Sequence, residues 1–263
     1  MAAKENVKFA GIQAMRMSLE SALKFISVKL PDLVSGEPDL IVLPEKWIID
    51  SLDAADGSLE SAVGNLRDLS RELSSVVIPG SLSVVREGKL YNSAPVIDMG
   101  KVIGWQDKIS PFRNEVNRYS RGEEVKTFDT SIGKICVPVC YDIDFPYFLK
   151  VAIRSGADFA INPSLIDSQF LEEWHLYISA RSLENRIPVL SVNSLSSPFN
   201  GNSLAVQPYL HSYGFRISRI TAGEKESFIG ELDRKGIGEY MMKRIEEDPG
   251  IYGLSRDKSV KDA

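Results

Sequence analysis

The chain has 263 residues, 43% hydrophobic and 25% charged, which is ordinary for a soluble globular protein long enough to bury a sizeable core. Its net charge of −5 leaves no basic excess to neutralise phosphates, which argues against nucleic acid as a partner. Two cysteines make no disulfide framework, no apolar run approaches the roughly 18 residues of a membrane span, and residues 1–6 lack an apolar signal core, so a cytoplasmic setting without a membrane is expected.

The first half alternates strand and helix patterns. Residues 7–13 read as a strand, and residues 18–33 as a helix with Ser18 as N-cap. Asp39-Leu40-Ile41-Val42-Leu43-Pro44 is a continuous apolar run, as expected of a strand covered on both faces. Residues 58–73 place Leu59, Ala62, Val63, Leu66 and Leu69 near helical spacing. Residues 76–85 and 90–98 read as strands joined through Arg86-Glu87-Gly88-Lys89, a hairpin signal, and 101–108 continues the series. Residues 113–124 are polar and charged and read as an ordered loop over a site.

The apolar run Ile135-Cys136-Val137-Pro138-Val139-Cys140 reads as a strand, although Pro138 removes a ladder donor and suggests a bulge or an unpaired edge. A helix over 145–154 follows, with Asp144 near its N-cap, Pro146 in its first turn and Gly156 ending it. Residues 158–162 form a short strand, 169–186 a long helix stopped by Pro188, and 189–195 the next strand. Strand patterns recur at 203–207, 214–220 and 227–232, and a charged helix spans 234–247. No repeat or linker interrupts the chain: one α/β domain over residues 1–254 is expected, with 255–263 a flexible tail.

Three polar groups end or follow apolar strands: Glu45, Lys108 and Cys140. Carboxyl ends of strands in such sheets line a common crevice, where the three can converge. A cysteine can attack an electrophilic carbon, a carboxylate can take and return protons, and an ammonium can stabilise developing negative charge. The helix start after Cys140 is expected to favour its thiolate. Taken singly, Glu45 and Lys108 read equally as surface charges, and Cys140 as a small buried hydrophobe. Cys136 shares strand parity with Cys140 and reads as packing. With only His175 and His211 the cysteines make no standard zinc spacing, and no glycine-rich phosphate loop is present, so neither metal nor cofactor is expected. A Cys140–His175 dyad is the other pairing available in principle; Trp174 reads as pocket lining or core.

Across nearly its whole length the chain resembles the nitrilase superfamily of carbon–nitrogen hydrolases. Asp39-Leu40-Ile41-Val42-Leu43-Pro44-Glu45 looks like the motif of the general-base glutamate, Asp107-Lys108-Ile109-Ser110-Pro111-Phe112 like the lysine motif, and Cys140-Tyr141-Asp142-Ile143-Asp144-Phe145-Pro146 like the nucleophile motif. Gly156-Ala157-Asp158, Asn162-Pro163-Ser164, Trp174, residues 181–188, and then Asn193, Gly201 and Ser203 follow in the family's order. Two positions depart from the pattern: Asp144 stands where an arginine is usual, and Tyr147 where a glutamate is common.

The resemblance implies a four-layer α-β-β-α sandwich. It implies that Cys140 is the nucleophile, Glu45 the base and acid, and Lys108 the charge stabiliser, with the Tyr141 N–H completing the oxyanion site. Glu115 sits where the family often carries a second glutamate that orients the lysine or substrate, with Glu123 and Glu124 on the same loop as rivals. The expected reaction is hydrolysis of a non-peptide C–N bond in a small amide, carbamoyl compound or nitrile, amide being favoured, through a cysteine thioester. Acyl transfer to a soluble amine and a catalytically silent binding subunit are the alternatives. Homodimers or higher homo-oligomers are also expected.

Overall fold

The computed structural model describes residues 4–34, 36–234 and 238–248. After β1 (Asn6–Ile12), Ser18 caps a helical run, its side chain accepting the Ser21 N–H at 3.4 Å. The run comprises α1 (Leu19–Lys24), a π-helical turn over Phe25–Lys29, and α2 (Leu30–Leu33), not the uninterrupted helix expected. Pro31 is the physical reason. Its ring crowds the carbonyl four residues back and it offers no N–H, and a widened turn relieves both.

The first half continues with β2 (Leu40–Val42), β3 (Ser51–Asp53), α3 (Ser58–Leu73), β4 (Val76–Ile78), β5 (Leu82–Arg86), β6 (Lys89–Asp98) and β7 (Lys101–Asp107). Residues 76–85 are two strands, because Pro79-Gly80 breaks the extended run. The hairpin expected at Arg86–Lys89 is present: Glu87 (φ 50°) and Gly88 (φ 71°) both adopt the left-handed conformation that suits strand twist. The second half carries β8 (Thr127–Thr130), β9 (Gly133–Cys136), α4 (Pro146–Arg154), β10 (Phe159–Pro163), α5 (Leu171–Asn185), β11 (Val189–Val192), β12 (Leu204–His211), β13 (Gly214–Thr221), β14 (Ser227–Asp233) and α6 (Gly238–Glu247). The short strands β3 and β8 escape sequence reading, being only three and four residues long.

Strands β14-β1-β2-β4-β6-β5-β3, with β7 beside β6, form an eight-stranded sheet, and β13-β12-β11-β10-β9-β8 a six-stranded one. At each centre the strands run parallel, β1-β2-β4 and β9-β10-β11. The period-2 alternation of strands then sorts side chains into three cores. Leu40 and Val42 face Ile135, Phe159, Ile161 and Leu190 of the other sheet. Ile41 and Leu43 face Leu30, Ala62 and Leu66 of the helices. On the far side, Cys136, Ala160 and Val189 meet Phe148 and Leu149 of α4 and Trp174 and Ile178 of α5. At about 1.5–3 kcal/mol for each large apolar side chain fully buried, these cores hold the frame. The product is a single-domain α-β-β-α sandwich. The expected boundary at residue 254 and the tail 255–263 lie outside the described residues. Among the described residues no helix is long and apolar enough to cross a membrane.

Candidate active site

Glu45 lies three residues beyond β2, Lys108 directly follows β7, and Cys140 follows β9 by four residues. The sheets bring the three together in a closed space: Glu45 and Lys108 are each 2% exposed and Cys140 6%. Lys108 Nζ lies 2.8 Å from Glu45 Oε1, which also accepts a hydrogen bond from Asn92 Nδ2 at 2.7 Å. The Cys140 thiol stands close enough to the same carboxylate for each to shift the other's proton affinity. Glu115, from a short 3-10 turn over Arg113–Asn117, presents Oε2 to Lys108 Nζ at 2.8 Å and Oε1 to Lys46 Nζ. Of the three loop glutamates, Glu115 is therefore the one that meets the lysine, while Glu124 pairs with Lys126.

The segment carrying Glu45 is fixed from both sides. Its N–H donates to the Ser164 carbonyl at 3.3 Å, and the Lys46 N–H to the Ser81 carbonyl at 2.8 Å. Gly80 makes the close approach possible: a Cβ there would stand 1.7 Å from the Pro44 oxygen.

Cys140 sits at a left-handed φ of 48°, a conformation that costs a non-glycine residue on the order of 1–3 kcal/mol and persists only where the surroundings impose it. The surroundings are visible. Asn162 Nδ2 donates to the carbonyls of Pro138 at 2.8 Å and Cys140 at 3.3 Å. The Asp142 carboxylate accepts N–H groups of Val139 at 3.1 Å, Ile109 at 3.1 Å and Ser110 at 2.7 Å, tying the Cys140 turn to the Lys108 loop. Arg181 reaches the same turn, donating to the carbonyls of Ile143 and Asp144.

This geometry corrects two expectations. The strand ends at Cys136, so Pro138 falls in an extended loop and its missing N–H costs no ladder bond. Cys136 and Cys140 do not share a face either: Cys136 packs against the helices and Cys140 between the sheets, because the left-handed turn breaks the alternation. Tyr141 lies in the first turn of the 3-10 segment Cys140–Asp144, where an N–H has no acceptor within the helix. Its ring stacks edge-on between Phe112 and Phe145, with centroids 4.9 and 5.1 Å away. His175 bonds the Asn202 carbonyl at 2.8 Å, so it forms no dyad with Cys140, and Trp174 is core, its Nε1 donating to Ser191 Oγ at 3.1 Å. Tyr147 is exposed on α4.

Burial pushes the Glu45 carboxyl up, but the ammonium groups of Lys108 and Lys46 and the hydrogen bonds from Lys108 and Cys140 outweigh it and hold it at about 2. Lys108 is moved in the opposite sense: burial lowers it, yet Glu45, Cys140 and Glu115 keep it above its ordinary range. The Cys140 thiol is pushed well up, first by burial and then by Glu45, with Lys108 opposing. A resting thiolate at Cys140, expected from a helix start, is thereby overturned: desolvation and a facing carboxylate exceed what one short turn supplies. The resting pair is thiol and carboxylate. Burial also raises Asp142 and Asp144 to about 6. Among the described residues no cluster of three histidine, cysteine or acidic side chains is disposed to hold a metal ion.

The sequence reading gave no role to Lys46 or Asn92, and placed Asp142 and Asn162 within motifs without giving either a role. Asp142 carried a usable signal, an acidic residue in the first turn after an extended segment, where carboxylates satisfy free N–H groups. Asn92 carried none, since a polar residue within β6 reads as solvent-facing until the second sheet is placed over it.

The family model described as carbon-nitrogen hydrolase matches residues 19–241. A protein of Staphylococcus lugdunensis named hydrolase in agr operon is 31% identical over 208 residues, covering 74% of this chain and 87% of its own. The 2-oxoglutaramate amidase of Bacillus subtilis is 28% identical over 189 residues, covering 66% of this chain and 72% of its own. Among solved structures, a carbon-nitrogen hydrolase from Helicobacter pylori superimposes with a TM-score of 0.78 at 18% identity, over 98% of this chain and 99% of that one.

Proposed function

Because the chain belongs to the carbon–nitrogen hydrolase family, we propose that it hydrolyses the C–N bond of a small amide through a thioester on Cys140. The observation that carries this reading is the Glu45 carboxylate, which pairs with the Lys108 ammonium at 2.8 Å and acts on the Cys140 thiol beside it, all three side chains buried. A thiol facing an ionised carboxylate is the pair that base-assisted attack requires.

In the first half-reaction Glu45 takes the thiol proton as sulfur bonds to the amide carbon. The carbonyl electron pair moves onto oxygen, where Lys108 Nζ and the Tyr141 N–H stabilise it. Collapse of the tetrahedral species breaks the C–N bond, and the leaving amine takes the proton from Glu45. Water then gives a proton to Glu45 and attacks the thioester. The C–S bond breaks, the acid departs, and the sulfur recovers its proton. Glu115 and Asn92 keep Lys108 and Glu45 in register throughout. Amide is placed ahead of nitrile because an omega-amidase and a 2-oxoglutaramate amidase stand among the relatives; others are named as nitrilases, so the screen includes both substrate classes.

The test is a hydrolysis screen of small amides and nitriles with the natural chain and Cys140→Ala. Turnover by the natural chain, none by the variant, and an acyl mass on Cys140 after acid quench are expected. Turnover surviving in Cys140→Ala overturns the reading, and added hydroxylamine diverting product to a hydroxamate would add acyl transfer to it. We also propose assembly as a homodimer. Tyr147 and Val151 on α4 and Leu176 and Tyr177 on α5 expose apolar surface on the same outer layer. A monomer at micromolar concentration in light scattering would overturn this.

A further inference from the structure

Lys46 follows the general-base candidate directly, and extended-chain alternation would send its side chain away from the face Glu45 occupies. Instead its φ is 42°, an uncommon conformation for a residue with a side chain, and the turn brings its ammonium back beside the site. Backbone bonds fix this turn: the Lys46 N–H donates to Ser81 O at 2.8 Å, and its carbonyl accepts Arg16 Nε at 3.3 Å. The side chain is 18% exposed, lies 5.3 Å from the Tyr119 ring centroid, and pairs with Glu115 Oε1. The other Glu115 oxygen takes Lys108 at 2.8 Å and the Phe112 N–H at 2.9 Å. Lys46, Glu115, Lys108 and Glu45 thus form a chain of alternating charge ending at the Cys140 thiol.

We infer that Lys46 is a positioning residue that holds Glu115 so that Lys108 stays aligned between Glu115 and Glu45; the inference rests on the catalytic reading of Glu45, Lys108 and Cys140 given above. A carboxylate shared between two ammonium groups exerts a weaker pull on each. With Lys46 neutralised, both Glu115 oxygens turn to Lys108 and draw its ammonium off Glu45 and away from the sulfur. Burial works against a charged Lys46, but the facing Glu45 and Glu115 raise its proton affinity above the ordinary value, so the ammonium form persists at neutral pH.

The test is a cycle of natural chain, Lys46→Met, Glu115→Gln and the double variant, with folding checked by circular dichroism. The probe is iodoacetamide: the Cys140 sulfur forms the C–S bond, iodide leaves, and the thiol proton passes to Glu45. Modification is read at Cys140 by mass. Lys46→Met is expected to slow alkylation about tenfold. In the Glu115→Gln background the same substitution is expected to change the rate less than about twofold, because nothing is left for Lys46 to hold. Lys46→Arg is expected to restore most of the rate, and Lys46→Gln takes the place of methionine in the cycle should the methionine variant not fold. In turnover of any amide found by the screen, Lys46→Met should lower kcat with little change in KM. Alkylation at the natural rate in Lys46→Met, an undiminished effect in the Glu115→Gln background, or arginine as slow as methionine each overturns the inference. The failures are distinguishable: absence of amide turnover with the coupling intact sinks the amidase reading alone, and independent effects with turnover intact sink only the role of Lys46.

Discussion

The Asp142 carboxylate accepts the Ser110 backbone N–H at 2.7 Å, joining the turn that carries Cys140 to the loop that begins at Lys108. The two segments belong to different sheets, and the same carboxylate also takes N–H groups of Ile109 and Val139. Three donors converging on one buried side chain leave no place for an amide nitrogen. Asp142→Asn is therefore expected to cost about 1–3 kcal/mol of stability. It should lower kcat further than the stability loss implies, because Cys140 and Lys108 lose their common reference. Denaturant unfolding with parallel kinetics checks this, and an asparagine variant matching the natural chain in both would refute it.

Glu45 makes the stability of the fold depend on pH. Its folded carboxyl is held at about 2, below the unfolded value of 4.5, so it stabilises the fold above the ordinary carboxylate range. That contribution, on the order of 3 kcal/mol at neutral pH, is lost as pH falls from about 4.5 through 2. Glu45→Gln lacks it at every pH. The stability gap between the natural chain and the variant should accordingly be widest near neutrality and shrink under acid. A gap that stays constant between pH 7 and 3 would show that the Lys108 contact does not set the charge state of Glu45.

Gly80 and Gly57 separate backbone strain from collision. Both have positive φ, 74° and 78°, so alanine is strained at either. A Cβ at Gly57 meets nothing within 4 Å, whereas one at Gly80 stands 1.7 Å from the carbonyl oxygen of Pro44, the residue before Glu45. Gly57→Ala should cost about 1 kcal/mol. Gly80→Ala must displace backbone and should cost about 3 kcal/mol or more, with loss of activity. Thermal unfolding of both variants decides the point; equal costs would mean that the Pro44–Gly80 contact is easily relaxed.

The strand and helix alternation and the three polar groups left local marks, whereas the four-layer frame and the roles of those groups were legible only through the resemblance to a family. Leu40 to Leu43 is apolar without alternation, which means covering on both faces, and the structure covers it with a second sheet on one side and α3 on the other. Glu45, Lys108 and Cys140 end or follow strand patterns. What local pattern could not show was anything set by contact between segments. The family position favoured Glu115 but left Glu123 and Glu124 as rivals until its reach to Lys108 was seen, and the charge state of Cys140 depended on a carboxylate 95 residues earlier in the numbering. The π-turn before Pro31 and the break at Pro79-Gly80 were readable in principle, since proline and glycine mark them, but the apolar spacing on either side masked them.

Asn162 is another support of the Cys140 turn, and its amide does two separable jobs. Nδ2 donates to the Pro138 and Cys140 carbonyls, and Oδ1 accepts the hydroxyls of Ser164 at 2.7 Å and Ser191 at 2.9 Å. Asn162→Ala removes both and leaves four buried polar groups without this partner, for a cost of about 2–4 kcal/mol. Asn162→Asp keeps the acceptor but sets a carboxylate oxygen against two carbonyls, so it should be the worse of the two despite its closer shape. Both should slow iodoacetamide modification of Cys140, because the left-handed backbone at that residue relaxes once its carbonyl is released. Rates and unfolding free energies measured together test this. An aspartate variant as stable and as reactive as the natural chain would place the origin of the Cys140 conformation in Asp142 and Arg181 alone.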